Sequence, residues 1–331
     1  MRAAAAQNGK IVMITMPEPE LPAGHVLIRT EYSAVSPGTE LTMTKRSGEV
    51  PVGLGYSAVG IVEKLGEGVT GLEPGQRVAC YGAPYVKHAE LLAVPSNLTA
   101  LVPAHVKPEE AAFAGLGAIA IHALRTADLR FGESAVVVGL GILGNLIAQI
   151  ADASAVVTLG LDLSAERAAK LGEVARVAAF ASQDELEAAL PAATGGFGAD
   201  SILLCAGGPG MELINRSFQW IRDRGKVVIV GDLTTEYTRS AMFGKEAQVL
   251  ISRAGGPGRY DAGYERENRD YPIGYVRWTE GRNTREYIRL LAEGRINVAP
   301  LVSGIYRIEE AEAAYEGYRQ PTTMGTLFRY S

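Results

Sequence analysis

Residues 135–150, AVVVGLGILGNLIAQI, constrain this chain more than any other stretch. Three consecutive β-branched residues, Val136, Val137 and Val138, read as a buried parallel strand. Gly139, Gly141 and Gly144 follow with GxGxxG spacing, an apolar helical run comes next, and Asp162 ends the following apolar run, VVTLGLD. Strand, glycine turn, helix and acidic residue in that order are what a dinucleotide demands. The glycines let the chain turn tightly while its backbone approaches a pyrophosphate. The amides of Ile142 and Leu143 are expected to point at the phosphates from a helix N-terminus. Asp162 is expected to accept hydrogen bonds from both ribose hydroxyls. A 2′-phosphate in that place would set two like charges about 4 Å apart, a repulsion of roughly 4 kcal/mol at an effective dielectric near 20. The expected cofactor is therefore NAD rather than NADP, with Arg167 the nearby group able to compensate such a charge.

A chain of 331 residues exceeds one ordinary core, so two domains are expected. The composition, 47% hydrophobic and 21% charged, is globular, and a net charge of −5 gives no electrostatic footprint for nucleic acid or an anionic membrane. No apolar run reaches the roughly 20 residues that span a bilayer, and MRAAAAQNGKIVMI lacks a signal-peptide pattern, so the expected location is cytoplasmic. Cys80 and Cys205 lie in or beside apolar runs and are expected as reduced thiols.

Along the chain, residues 24–101 read as short strands broken by glycine and proline: HVLIRTEYSAV, AVGIVEKLG, QRVACYG and AELLAVP. That spacing suggests a small antiparallel barrel. EEAAFAGLGAIAIHALRTA then has helical periodicity. Beyond it strands (SAVVVGL, AVVTLGLD, DSILLCAG, GKVVIVGD, QVLISRAG) alternate with helices, the pattern of a parallel sheet covered on both faces. NTREYIRLLAEG and IEEAEAAYEGYR read as amphipathic helices, and TLFRY as a closing strand.

Taken together these parts resemble the medium-chain dehydrogenase/reductase superfamily over nearly the whole chain. GYSAVGIV, YVKHAELLAVPSNL, LGAIAIHALRTADLRFGE and GPGRYDAGYERENRDYPIGYVRWTEGRN are similar, more narrowly, to the dehydrogenase half of bi-domain oxidoreductases. The resemblance implies an α/β fold with a GroES-like β-barrel domain made from 1–115 and 281–331. It implies a doubly wound parallel-sheet Rossmann domain over 116–280, with the active site in the cleft between the two. It also implies a homodimer or homotetramer and a small-molecule substrate, a polyhydroxylated alcohol or ketone.

Zinc-dependent members of that superfamily carry a CGTD-like motif, a GHE motif and a third ligand at the start of the domain-crossing helix. The matching positions here are PGTE at 37–40, then Gly55, Tyr56 and Ser57, and approximately Ala114. The structural-zinc lobe of four cysteines is missing. Tetrahedral zinc takes Cys, His or carboxylate ligands, and His25, His88, His105 and His122 show no paired ligand spacing. No metal is expected.

Without a metal, organic groups must handle the proton at the reacting oxygen. Tyr56, in a ligand position, is either the group that donates to that oxygen or a filler of vacated space. Thr39 matches a proton-relay hydroxyl or else caps a local turn, and Glu40 follows it. Lys87 and His88 precede the AEL strand, His88 being either catalytic or structural, whereas His122 is expected to pack inside its apolar helix. Cys205 and Ala206 after the fourth strand, and Gly231 after the fifth, are expected to leave room for the nicotinamide half of the cofactor. Ser252 and Arg253 end the sixth, where open α/β sheets bind ligands. The segment 253–283 crowds arginine and aromatic residues. It reads either as substrate recognition through Arg253, Tyr260, Tyr275 and Trp278 or as a subunit interface.

The expected activity is zinc-independent, NAD-dependent interconversion of a secondary alcohol and a ketone on a sugar, glycoside or cyclitol. Two other readings stand beside it: an NAD(P)H-dependent quinone or enoyl reductase, and a non-catalytic NAD-binding scaffold or sensor.

Overall fold

The computed structural model describes residues 1–330. It divides into two compact units: one holds Met1–Ala118, Ala254–Gly294 and the chain from Val298 onward, the other Ile119–Arg253 with Arg295–Asn297. Among the described residues no helix is long and apolar enough to cross a membrane.

In the first unit the strand His25–Ala34 is the hub. It pairs antiparallel with Ser57–Leu65, Leu91–Pro95 and Gly325–Arg329. Ser57–Leu65 then pairs with Arg77–Tyr81, which pairs with Thr99–Leu101, while Val302–Arg307 runs parallel beside Gly325–Arg329. The period-two alternation of the strands sends Val26, Ile28, Ala58, Val62, Val78, Cys80 and Val94 into one core. Each fully buried side chain of valine or isoleucine size contributes roughly 1.5–3 kcal/mol. Arg2–Gln7 and Lys10–Thr15 form a hairpin, with Val52–Gly53 added beside it. This hairpin was not legible as strands, because its alanines are small and its partner strand is largely solvent-facing.

Residues 254–280, assigned above to the Rossmann domain, pack in the first unit instead. Tyr264 is 1% exposed within that unit's core and stacks on Tyr271 at 5.6 Å between ring centroids. Asn97 N–H donates to Asn268 Oδ1 (2.9 Å), and Asn97 Nδ2 donates to Tyr264 O (3.0 Å). Strand–helix alternation ends at VLIS, but which unit captures the following loop depends on these distant partners.

The second unit is a six-stranded parallel sheet. Its order is Ala178–Phe180, Val157–Leu161, Ser134–Val138, Ala199–Leu204, Ile221–Ile229, Gln248–Ile251. The chain starts at Ser134–Val138, winds outward on one side, then returns to build the other half. That places the reversal of strand order beside Ser134–Val138, where doubly wound sheets bind their ligands. Val136, Leu159, Ile202, Leu204 and Val227 on the strands, with Ile214, Phe218 and Trp220 on the helix Met211–Trp220, make up its core. Ser164 and Ser182 cap the helices Ala165–Val174 and Gln183–Ala193 by accepting from the amides of Arg167 and Glu185.

Candidate functional site

The residues expected to meet a dinucleotide lie in the second unit. Gly139 turns the chain at φ +89° and donates its N–H to Leu161 O (2.8 Å), which bonds the turn to the end of the neighbouring strand. At Gly144 a Cβ would lie 1.8 Å from Gly139 O, so only glycine lets the helix Ile142–Ala153 start this close to the turn. That helix begins at Gly141 with no side chain capping it, leaving the first-turn amides of Ile142 and Leu143 available to an anion.

Asp162 holds the backbone together in a way that sequence reasoning missed. Its two carboxylate oxygens accept from Leu140 N–H (2.7 Å) and Ser164 N–H (2.8 Å), and Arg167 Nη1 stands 3.8 Å away. The carboxylate therefore ties the glycine turn to the start of the next helix. Each oxygen retains a further acceptor position for a ribose hydroxyl.

At the opposite side of the strand reversal, Cys205 N–H donates to Val138 O (2.8 Å) and Gly231 N–H to Leu204 O (2.9 Å), bringing Ala206 and Gly231 to adjacent strand ends. Burial pushes the Cys205 thiol up to about 12, so it carries its proton and fills space, and Cys80 behaves alike. Ser252 is buried beside Ile229, its Oγ without a hydrogen-bond partner among the described residues, and Arg253 follows at the surface. A glycine cradle, an uncapped helix start, a terminal carboxylate and an orphaned hydroxyl together fit a dinucleotide. His122, expected to pack, is only half-buried. Burial holds its imidazole below the ordinary value, and the charges of Arg125 and Arg253 add to the effect.

The proton-handling candidates lie in the first unit. Pro37 and Gly38 open the helix Pro37–Arg46, an element missed above because its residues read as turn. Glu40, in its first turn, is fully buried and accepts from Ser36 N–H (2.7 Å) through Oε1. Its Oε2 meets His88 Nε2 at 2.8 Å and also accepts from the Tyr315 hydroxyl. The other nitrogen of His88 faces Ser33 Oγ (2.7 Å), which in turn meets the Tyr330 hydroxyl (2.8 Å), and Phe328 packs edge-on against the imidazole. His88 is 0% exposed. It and Glu40 are thus sealed behind the site and cannot themselves touch a substrate.

Tyr56 forms the accessible face of this network. It is half-buried, donates its hydroxyl to Ser36 Oγ, and has the Thr39 hydroxyl within hydrogen-bonding reach. Burial raises the Tyr56 phenol well above the ordinary tyrosine range, with the nearby Glu40 charge adding to it against the hydrogen bonds of Ser36 and Thr39. A phenol held in that state is a hydrogen-bond donor at neutral pH. Thr39 is exposed, so the hydroxyls run from half-buried Tyr56 to water. Lys87 lays its stem against Gly53 and takes no part in the network. Ser33, Ser36, Tyr315 and Tyr330 were not singled out from the sequence. Only Ser36 left a signal, as the residue before a helix-starting proline.

The positions matching zinc ligands hold Pro37, Tyr56 and Ala114, and among the described residues no three His, Cys, Asp or Glu side chains come together as a metal site. This donor set does not fit zinc.

Arg259, Arg277 and Arg282 of the aromatic segment are engaged within it. Arg259 pairs with Glu265 and lies 4.2 Å over the Tyr260 ring, Arg282 pairs with Asp270 (2.6 Å), and Arg277 covers Trp278 at 3.9 Å. Tyr260 and Tyr275 remain exposed, whereas Tyr264 and Tyr271 brace the loop.

Residues 22–126 match the alcohol dehydrogenase GroES-like domain. That domain together with a doubly wound parallel sheet is the fold of the medium-chain dehydrogenase/reductases, and the relatives this chain resembles are alcohol and polyol dehydrogenases. Among its relatives, sorbitol dehydrogenase of Halalkalibacterium halodurans is 25% identical over 356 residues, covering 97% of this chain and 96% of the relative. The probable D-xylulose reductase A of Aspergillus clavatus is 24% identical over 354 residues, covering 94% and 91%. The crystal structure of 2R,3R-butanediol dehydrogenase from Bacillus subtilis superimposes with a TM-score of 0.79 at 21% identity, covering 100% of this chain and 99% of that one.

Proposed function

We propose that this protein is an NAD-dependent oxidoreductase that interconverts a secondary alcohol and a ketone on a sugar, glycoside or cyclitol, and that it works without zinc. One observation carries the reading: Tyr56 stands in a metal-ligand position with its hydroxyl bonded to Ser36, and the buried Glu40–His88 pair holds that serine's helix start from behind. The polyol and ketose names of the relatives support the substrate class.

The nicotinamide cofactor, when bound, supplies or accepts the hydride. In reduction, the Tyr56 hydroxyl turns its one proton from Ser36 Oγ to the substrate carbonyl oxygen, accepts from Ser36 instead, and yields that proton as negative charge develops on the substrate. Ser36 and Thr39 return a proton to Tyr56, Thr39 being the end that meets water. Glu40, held by His88, keeps the Ser36 backbone in place. A positioned acid of this kind contributes about 10²- to 10⁴-fold.

Nicotinamide absorbance measured against ketoses, 3-keto sugars, inososes, quinones and enones, on protein whose metal content has been determined, tests the proposal. Turnover of a keto sugar or inosose is expected, and dialysis against a chelator is expected to change kcat by less than about twofold, since no step runs through a metal. Stoichiometric zinc whose removal abolishes turnover would overturn the metal-free reading. Turnover confined to quinones or enones would assign a double-bond reductase, and tight NADH binding with no turnover across the panel a sensor.

Asp162→Ala separates the two tasks of that carboxylate. NAD affinity is expected to fall at least about tenfold, one good hydrogen bond to a charged group being worth roughly 1.5–3 kcal/mol. Discrimination against NADP is expected to shrink as the negative charge leaves. Stability is expected to drop by about 1–3 kcal/mol, because the Leu140 and Ser164 amides lose their acceptor. Titration with both cofactors and a melting curve read the two effects separately.

A further inference from the structure

Glu280, at the start of the helix Glu280–Ala292, is 0% exposed, and neither of its carboxyl oxygens has a protein hydrogen-bond donor among the described residues. Its backbone N–H donates to Pro257 O (2.8 Å), and its carboxyl lies within hydrogen-bonding reach of Glu265, itself 6% exposed. The cation paired there is Arg259, already bonded to Glu265, which also accepts from Tyr260 N–H (3.0 Å). Two facing carboxyls with one guanidinium are neutral only when one proton is shared between them. A second bare carboxylate in that place would be desolvated and set against a like charge.

The cluster is joined to Tyr81. Gly255 N–H donates to the Tyr81 hydroxyl (3.0 Å), and Asn283 Nδ2 donates to Gly255 O (2.8 Å). Tyr81 in turn pairs with Ser57 across the ladder, Gly82 N–H donates to Tyr56 O (2.8 Å), and the Tyr81 ring meets that of Tyr56 edge-on with centroids 5.8 Å apart.

We propose that Glu265 and Glu280 act as one buried acid pair holding a single proton, and that Glu280 is thereby a positioning residue. While the proton is held, residues 254–283 stay clamped on Tyr81, and Tyr81 on Tyr56. The link to Tyr56 rests on the proposed function, whereas the clamp itself does not. The groups facing Glu280 are Glu265 and Arg259, Tyr264 and Tyr271 from the same segment, and Tyr81 and Tyr85 from the sheet side. Tyr264 and Tyr271 are pushed up to about 12, and Tyr81 is also raised, so they keep their protons where Glu280 titrates.

Burial, then the Glu265 charge, raises the Glu280 carboxyl to about 8 despite Arg259. With the folded value above the unfolded one, the stabilisation is complete below the ordinary carboxylate range and declines as pH rises to about 8. Beyond that point the folded protein itself loses the proton and the clamp loosens.

Limited trypsin digestion of the full chain between pH 6.5 and 9 reads the clamp through cleavage at Arg266, Arg269 and Arg277. Relative to E280Q, whose amide keeps the neutral, proton-bearing arrangement, the wild-type nicking rate is expected to rise about tenfold from pH 7 to pH 9. E265Q, which removes the like charge, is expected to lose the same rise. A wild-type ratio that stays flat, or variants that keep the rise, would overturn the shared proton. With a substrate in hand, the wild-type kcat/KM is expected to fall above about pH 8 and the limb to move to higher pH in E280Q. An unmoved limb would overturn the link to Tyr56. If digestion behaves as expected while no substrate is turned over, the clamp stands and the proposed function fails.

Discussion

Tyr56→Phe is expected to lower kcat by about 10²- to 10⁴-fold while leaving the NAD dissociation constant within about twofold. The substitution removes one oxygen. The ring, its edge-on packing with Tyr81 and the backbone bond to Gly82 all remain. What is lost is the hydrogen bond to Ser36 and, with it, the proposed donor to the substrate oxygen. The proposed NAD site, around Gly139, Gly144 and Asp162, belongs to the other unit, so cofactor affinity reports independently on the fold. Steady-state kinetics with cofactor titration gives both quantities. A fall in kcat of less than about fivefold would remove Tyr56 from proton transfer, and a rise in KM with kcat unchanged would reduce it to a binding group.

The second large effect is expected at Gly144. A methyl group there meets Gly139 O at 1.8 Å, and the obstacle is backbone rather than the end of a flexible side chain. Gly144→Ala must push the helix Ile142–Ala153 away from the turn, which moves the Ile142 and Leu143 amides from the proposed phosphate position. Overpacking of this severity costs about 3 kcal/mol or more, a drop in melting temperature of roughly 6–12 °C for a unit of this size. NAD affinity is expected to fall more than about a hundredfold, since the loss of several amide contacts exceeds the roughly 1.4 kcal/mol per tenfold of any single one. Calorimetry on the apo and NAD-bound variant checks both. A variant that melts with wild type and binds NAD normally would sink the geometry of the turn.

Much of the second unit could be read directly. SAVVVGL, AVVTLGLD and QVLIS correspond to Ser134–Val138, Val157–Leu161 and Gln248–Ile251, because a strand buried on both faces needs continuous apolar residues and leaves a continuous apolar run. The first unit was less open. The helix Pro37–Arg46 hides in residues that favour turns, and the Arg2–Gln7 strand in a run of alanines. His88 could be singled out as a residue type, yet its burial and partners could not. An exposed catalytic histidine and a sealed structural one look alike in a one-dimensional string.

By itself the sequence determined what local chemistry determines: where the backbone must turn with positive φ, and which runs are apolar enough to lie inside a sheet. The tertiary structure alone decided which polar groups share a buried site. Glu40 meets Tyr315 across 275 residues, Ser33 meets Tyr330 across 297, and the 254–280 loop is captured by Asn97 and by the core around Tyr264. Hydrogen bonds between distant residues leave no periodicity behind. Their partners are chosen by the packing of whole sheets, which a local pattern does not contain.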